Sequence, residues 1–162
     1  MELSNDCGEN GIALELSDHN TVEGNIVSIC NHSGWIYSAP GAYIPDPALE
    51  GKATFGFVSK YKKNAIAPDG QSEFQFKAGD LNFHSSSYEW LVVNQGGANA
   101  QFKGSGTING DSVYKFMIWA GDDEQDTFRI RIWSESNGET TIYDNGAQQE
   151  IGGGGIVIHT KK

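Results

Sequence analysis

The chain has 162 residues, 38% hydrophobic and 11% aromatic, which is enough for one folded domain and excludes global disorder. Its formal net charge is −10, and residues 1–50 hold eight acids and no Lys or Arg. Because an acidic surface repels phosphate backbones, we expect no nucleic acid partner, and no segment is apolar enough to predict membrane insertion. Alternating β-branched and aromatic residues, with 21 glycines, predict an all-β fold.

The first 38 residues contain a short internal repeat. CGENGIA at 7–13 aligns with CNHSGWI at 30–36 at an offset of 23 residues, a period typical of one coil of a β-solenoid. The run NGIALELSDHNTVEGNIVS at 10–28 resembles the repeats of right-handed parallel β-helix proteins. Because about three repeats are needed for a stable stack, the resemblance implies that residues 1–38 are the last coils of a β-helix that continues in an upstream region of the parent protein.

This resemblance also gives the two cysteines a role. Cys7 and Cys30 fall on equivalent positions of the repeat. Equivalent positions on stacked coils lie about 4.8 Å apart, which is within the Cα separation of a disulfide. A stacked pair of free thiols fits the same spacing, because Cys also packs as a small hydrophobic residue. Both alternatives stay open.

A proline-rich segment divides the chain. Residues 39–51 hold three of its four prolines and predict an extended connector. Residues 52–162 then alternate polar and apolar residues in short runs separated by turn signals, which predicts a β-sandwich of jelly-roll or immunoglobulin-like type. Within them, Phe74 and Phe76 are expected to face Leu81 and Phe83 across a turn at Gly79-Asp80. In YEWLVV (88–93), strict alternation puts Tyr88, Trp90 and Val92 on one face.

Seven segments carry a family resemblance by their order and spacing: FGFVSKYKK (55–63), EFQF (73–76), LNFHSSSYEWLVV (81–93), KGSGTING (103–110), DTFRIRIW (126–133), YDN (143–145) and GGGGIVIH (152–159). Through them, nearly all of residues 52–162 resemble the "post-COAP" type of C-terminal module in large bacterial surface proteins. The resemblance implies a non-catalytic module of an extracellular or cell-surface protein. The start MELSND lacks the regions of a signal peptide, so we expect the signal to lie upstream. One departure is the short loop GDDEQD, where relatives have a longer insertion.

The stretch IWAGDDEQDTFRIRIW (118–133) predicts a hairpin with a defined register. A five-residue loop at 122–126 pairs Ala120 with Phe128 and Ile118 with Ile130, which gives one apolar face. A slip of one residue would mix polar and apolar side chains on each face, so the first register is expected. The opposite face then pairs Trp119 with Arg129, Met117 with Arg131 and Lys115 with Trp133. Cation–π contacts are predicted between Arg129 and Trp119 and between Lys115 and Trp133.

The acids of the loop have several interpretations. They form the solvated tip of the hairpin, or Asp122, Asp123 and Asp126 bind calcium, or two of them act as catalytic carboxylates. No EF-hand pattern is present. Apart from this calcium hypothesis, we expect no cofactor.

The sequence lacks enzyme signatures: no nucleophile elbow, phosphate loop or zinc-protease motif occurs. We therefore predict a non-enzymatic structural or adhesive role, with polysaccharide or other surface proteins as partners. One alternative is a carbohydrate-binding module that uses Trp119, Trp133, Arg129 and Arg131 on the outer face of the hairpin. The other alternative is the tail of a β-helix enzyme that degrades polysaccharide.

Overall fold

The computed structural model describes residues 14–15, 21–22, 26–60, 67–94, 98–122 and 124–161. At 14–15, 21–22, 26–33, 60, 112, 157 and 159–161 it gives the backbone only. These residues form twelve strands and one short 3-10 helix, Lys77–Gly79. The strands are β1 (Leu14–Glu15), β2 (Thr21–Val22), β3 (Ile26–Ser38), β4 (Gly51–Lys60), β5 (Asp69–Phe76), β6 (Leu81–Val93), β7 (Asn99–Ile108), β8 (Asp111–Gly121), β9 (Thr127–Ser134), β10 (Thr140–Asp144), β11 (Gln149–Glu150) and β12 (Val157–Lys161).

One antiparallel sheet dominates the fold. Strands β3 to β10 follow one another as a meander, β12 returns to pair with β3, and β11 pairs with β9. The sheet curls, so that side chains of β9 reach those of β4 and β5 on its inner face. The predicted all-β fold is confirmed in this coarse form. The finer predictions, a β-sandwich and terminal β-helix coils, are not confirmed.

Residues 26–38, directly before the predicted connector, belong to this sheet as strand β3. Strand β3 pairs antiparallel with both β4 and β12, and the separate pair β1–β2 is also antiparallel. The connector itself is a series of turns, closed by a hydrogen bond of 2.8 Å from the Gly41 N–H to the Pro47 carbonyl. It folds back along β10, where the Ile44 N–H donates to the Ile142 carbonyl. The three prolines of residues 39–51 therefore lie in a folded turn region and not in the extended connector that the sequence predicted.

The predicted register of the β8–β9 hairpin and the predicted facing of Phe74 and Phe76 with Leu81 and Phe83 are confirmed. In β8–β9, Gly121 pairs with Thr127, Ala120 with Phe128 and Ile118 with Ile130, so the loop holds five residues. In β5–β6, Phe74 pairs with Phe83 and Phe76 with Leu81.

One prediction on β6 was wrong because of a β-bulge. Glu89 is an extra residue between Tyr88, which pairs with Gly104, and Trp90, which pairs with Lys103. A bulge shifts the alternation by one position. Tyr88 and Leu91 consequently point into the core, and Trp90 and Val92 lie on the outer face. Trp90 thus joins the same surface as Trp119.

The core lies on the inner face of the curled sheet and is rich in phenylalanine. The ring of Phe128 stacks on Phe55 with centroids 4.0 Å apart and also contacts Phe57 and Phe74. Two buried tyrosines complete the core with paired hydroxyls. The Tyr143 hydroxyl donates to Ser38, and burial raises its pKa to about 12. The Tyr88 hydroxyl lies 2.6 Å from that of Ser72, and burial raises its pKa as well.

Candidate binding face

The outer face of strands β6 to β9 carries rows of tryptophans and cations. The pairings place Val92, Gln101, Trp119 and Arg129 in one row across four strands. The next row holds Trp90, Lys103, Met117 and Arg131, and a third holds Ser105, Lys115 and Trp133. We call this surface the Trp–Arg face. Its part on β8 and β9 follows from the confirmed register, because outward residues alternate with the buried ones, whereas Trp90 lies on this face because of the bulge at Glu89.

Trp119 is held from one side by an arginine. The Arg129 guanidinium lies 4.3 Å from the centre of the Trp119 ring, which confirms the predicted cation–π contact. Arg129 is itself fixed by two hydrogen bonds to Asp144, of 3.1 Å from Nε and 3.0 Å from a terminal nitrogen. Such bidentate pairs set orientation as well as adding energy. One face of the Trp119 ring is thus occupied by Arg129, and Trp119 also lines a groove together with its β7 neighbour, Gln101.

Trp133 has a different environment. It is only 5% exposed, and Arg131 and Lys103 lie over its ring at 4.6 and 5.7 Å from the centroid. Its indole N–H donates to Glu135. Trp133 therefore offers little surface to a ligand, although the sequence placed it beside Trp119 as a candidate.

Lys115 lies opposite Trp133 in the register, but its ammonium group bonds elsewhere. Its Nζ donates to the Glu89 carboxylate at 2.7 Å, and Lys103 lies 3.8 Å from the other oxygen of the same carboxylate. The hydrogen bond from Lys115 lowers the pKa of Glu89. Because Glu89 is the bulge residue, alternation alone did not predict its position between the two lysines. The predicted contact between Lys115 and Trp133 is replaced by contacts from Lys103 and Arg131.

An open groove of about 390 Å³ lies beside Trp119. Its lining consists of uncharged side chains: Val92, Asn94, Asn99, Ala100, Gln101, Trp119 and Gln148. Asn94 Oδ1 accepts the N–H groups of Ala98 and Asn99, which fixes its amide. Gln148 Nε2 donates to Thr127 Oγ1 at 3.0 Å, which fixes a second amide. Gln148 Nε2 also donates to Asn99 Oδ1 at 3.3 Å, so three of the four amides that line the groove have hydrogen bonds within the chain.

The sequence prediction did not include these amide residues. Matching the apolar residues of β7 and β8, Ala100 with Ala120 and Phe102 with Ile118, would have placed Gln101 opposite Trp119. The turn register alone would not, because an irregularity between Gly106 and Ile108 shifts the pairing by one residue. Gln148 had no such signal, since it enters the groove from a segment beyond β10.

The acidic tip of the hairpin is bound to the C-terminal segment. Asp126 Oδ2 accepts the Ile156 N–H at 2.9 Å, and Asp122 Oδ2 accepts the Ile158 N–H at 2.8 Å. Strand β12 ends the sheet order, so its outward N–H groups would otherwise have no strand partner. The two carboxylates accept N–H groups from β12 and from the residue before it, and they connect the β8–β9 loop to this end of the sheet. This role differs from that of a freely solvated tip.

The calcium hypothesis stays a prediction. Asp123, one of its three proposed ligands, lies outside the described residues. Across the described part of the chain, no group of three or more His, Cys, Asp or Glu is arranged to hold a metal ion. Cys7 also lies outside the described residues, and only the backbone of Cys30 is described, so the disulfide and the thiol pair both remain predictions.

Loss of the Asp126 contact is expected to destabilise the fold. In Asp126→Ala the N–H of Ile156, a residue whose side chain is buried, loses its acceptor, which costs about 1–3 kcal/mol of the free energy of unfolding. Asp126→Asn keeps an oxygen acceptor and should lose less. Chemical denaturation measures both, with Gln125→Ala on the same exposed tip as the control, for which a change within about 0.5 kcal/mol is expected. Equal stability of Asp126→Ala and the control would refute the contact.

Comparison with protein-family models, curated proteins and solved structures gave no match. Among the described residues, no helix has the length and apolar character needed to cross a membrane. The resemblance of residues 52–162 to the post-COAP module therefore stays a prediction.

Proposed function

We propose that this chain is a non-catalytic attachment module of a bacterial extracellular or cell-surface protein, and that it binds carbohydrate in the groove beside Trp119. The single observation that supports this most is the fixed indole of Trp119 at the edge of an open groove lined by amides. An upstream parallel β-helix in the parent protein is proposed on the sequence resemblance alone, because residues 26–38 form the antiparallel strand β3. Other surface proteins are the alternative partners.

The chemistry of the groove suits a sugar. An indole face offers a rigid apolar plane for the C–H groups of a pyranose ring. Side-chain amides both donate and accept hydrogen bonds, as sugar hydroxyls require, and Asn94, Asn99, Gln101 and Gln148 line the groove together with Trp119. A pocket with an apolar base and a few placed polar groups is the usual form of a small-molecule site. The other face of Trp119 is covered by Arg129, so the ring is already oriented before a ligand arrives.

Binding fits this groove better than hydrolysis. Glycoside hydrolysis generally needs two carboxyl groups that flank the scissile bond. None of the described residues that line the groove has a carboxyl group. Polysaccharide degradation is therefore assigned, if the parent protein has that activity, to the proposed upstream β-helix.

Affinity electrophoresis tests the proposal on the intact chain. Migration is compared in gels with and without hydroxyethylcellulose, galactomannan, xylan, methyl-esterified pectin, carboxymethylcellulose or polygalacturonate. We expect retardation by at least one of these polymers and no release of reducing ends from any of them. Unchanged migration in all six gels would contradict a carbohydrate-binding function. Release of reducing ends would favour the enzyme alternative.

A further inference from the structure

We propose that the groove beside Trp119 selects neutral sugars and that the two arginines of the Trp–Arg face position tryptophans instead of binding anionic groups. This inference rests on the proposed carbohydrate-binding function and specifies its ligand class. It changes the role first predicted for Arg129 and Arg131, which as exposed cations would favour acidic polysaccharides.

Both arginines are already paired with acids of the same chain. Arg129 makes its bidentate contact with Asp144, and the two side chains are 27% and 22% exposed. Arg131 donates to Glu139 and to Thr141 Oγ1 while lying over Trp133. An anionic ligand would have to displace these acids. The displacement would offset the attraction that a free arginine offers to a carboxylate.

The remaining charges on this face are balanced as well. Lys103 and Lys115 share the carboxylate of Glu89. Glu135 adds a second acid beside Trp133. The surface offers no net positive field to an anion, because its described cations and carboxylates are equal in number. The four cations are Arg129, Arg131, Lys103 and Lys115, and the four carboxylates are Asp144, Glu139, Glu89 and Glu135. With the chain at −10 overall, long-range electrostatics also disfavour an acidic polymer.

The groove lining adds independent support. It contains one indole, two aliphatic side chains and four amides, and none of these carries a charge. Amides hydrogen-bond to hydroxyl groups without requiring a counter-charge. A carboxylate placed over Trp119 would meet no described cation that is free of an internal acid. Neutral pyranose rings are therefore the ligand class that fits.

Matched polymer pairs test the charge preference. Affinity electrophoresis compares hydroxyethylcellulose with carboxymethylcellulose, and methyl-esterified pectin with polygalacturonate, at low and high salt. We expect the wild-type chain to bind the neutral member of a pair more tightly, with an affinity that salt barely changes. Tighter binding of the acidic member, falling as salt rises, would overturn this inference and leave the proposed function standing. Binding of no polymer would overturn both.

Glu139→Gln and Asp144→Asn extend the test. Each removes one acid and frees one arginine, while the new amide keeps an oxygen at the same place. Exposed ion pairs are worth about 0.2–1 kcal/mol, so each variant should bind the acidic polymer up to about fivefold more tightly at low salt. Melting temperatures verify that both variants fold. If neither variant gains affinity for an acidic polymer, these acids do not prevent the arginines from binding anionic groups, and the inference is wrong.

Discussion

Phe128→Ala is expected to lower the free energy of unfolding by about 3–5 kcal/mol, the largest loss that we predict for a single substitution. Phe128 is fully buried, and its ring contacts Phe55, Phe57 and Phe74 across the inside of the curled sheet. Strand β9 is five positions from β4 in the sheet order, so these contacts connect parts of the sheet that share no backbone hydrogen bonds. Removing the ring leaves a cavity where the curl closes.

Urea denaturation measures this loss, and two variants calibrate it. Phe128→Leu keeps most of the apolar volume and should lose less stability than the alanine variant. Val113→Ala removes a side chain that is 70% exposed and should change the free energy by less than about 0.5 kcal/mol. If Phe128→Ala proved as stable as Val113→Ala, the sheet would not close through this ring.

The sequence predicted local pairing well because the side-chain period of a strand is two. A slip in β8–β9 would have placed Arg129 against Ile118, so only one register kept the arginines out of the core. The same reasoning failed at Glu89, where one extra residue reversed the faces of β6. A regular alternation of inward and outward residues does not indicate where a bulge occurs, so the outward position of Trp90 could not be predicted.

The sequence pattern could not predict the overall shape of the sheet, for a similar reason. An alternating strand has a buried face whether that face meets a second sheet or the inside of the same curled sheet. Curvature comes from local features such as the two irregularities in β6–β7. At Gly104 in this pair, an added Cβ would lie 2.1 Å from the Ser87 carbonyl oxygen, so the close strand approach requires glycine.

The candidate site was predicted only where its residues are neighbours in one hairpin. Trp119 and Arg129 belong to β8–β9, and their contact followed from the register. Asp144, which fixes Arg129, follows in β10 across another irregular pairing. The partners of Asp122 and Asp126 lie more than 29 residues away, in a segment whose position depends on closure of the sheet.

Trp119→Ala is expected to reduce affinity for a neutral polysaccharide about thirtyfold or more. Truncating a central aromatic side chain of a binding site costs about 2 kcal/mol or more, which corresponds to that factor. Trp119 is partly exposed, so folding should survive the change. Trp119→Phe retains an aromatic plane and should keep part of the affinity. Trp90→Ala, on the same face but outside the lining of the groove, is the matched control and should bind as the wild type does.

The most direct test of the proposed site is calorimetric titration of these four proteins with the neutral polymer that most retards the wild type. We predict measurable heat for the wild type and Trp90→Ala, weaker binding for Trp119→Phe and a loss of about thirtyfold or more for Trp119→Ala. Melting curves recorded on the same samples establish that each protein is folded. Equal affinity of folded Trp119→Ala and the wild type would contradict the assignment of the groove as the binding site.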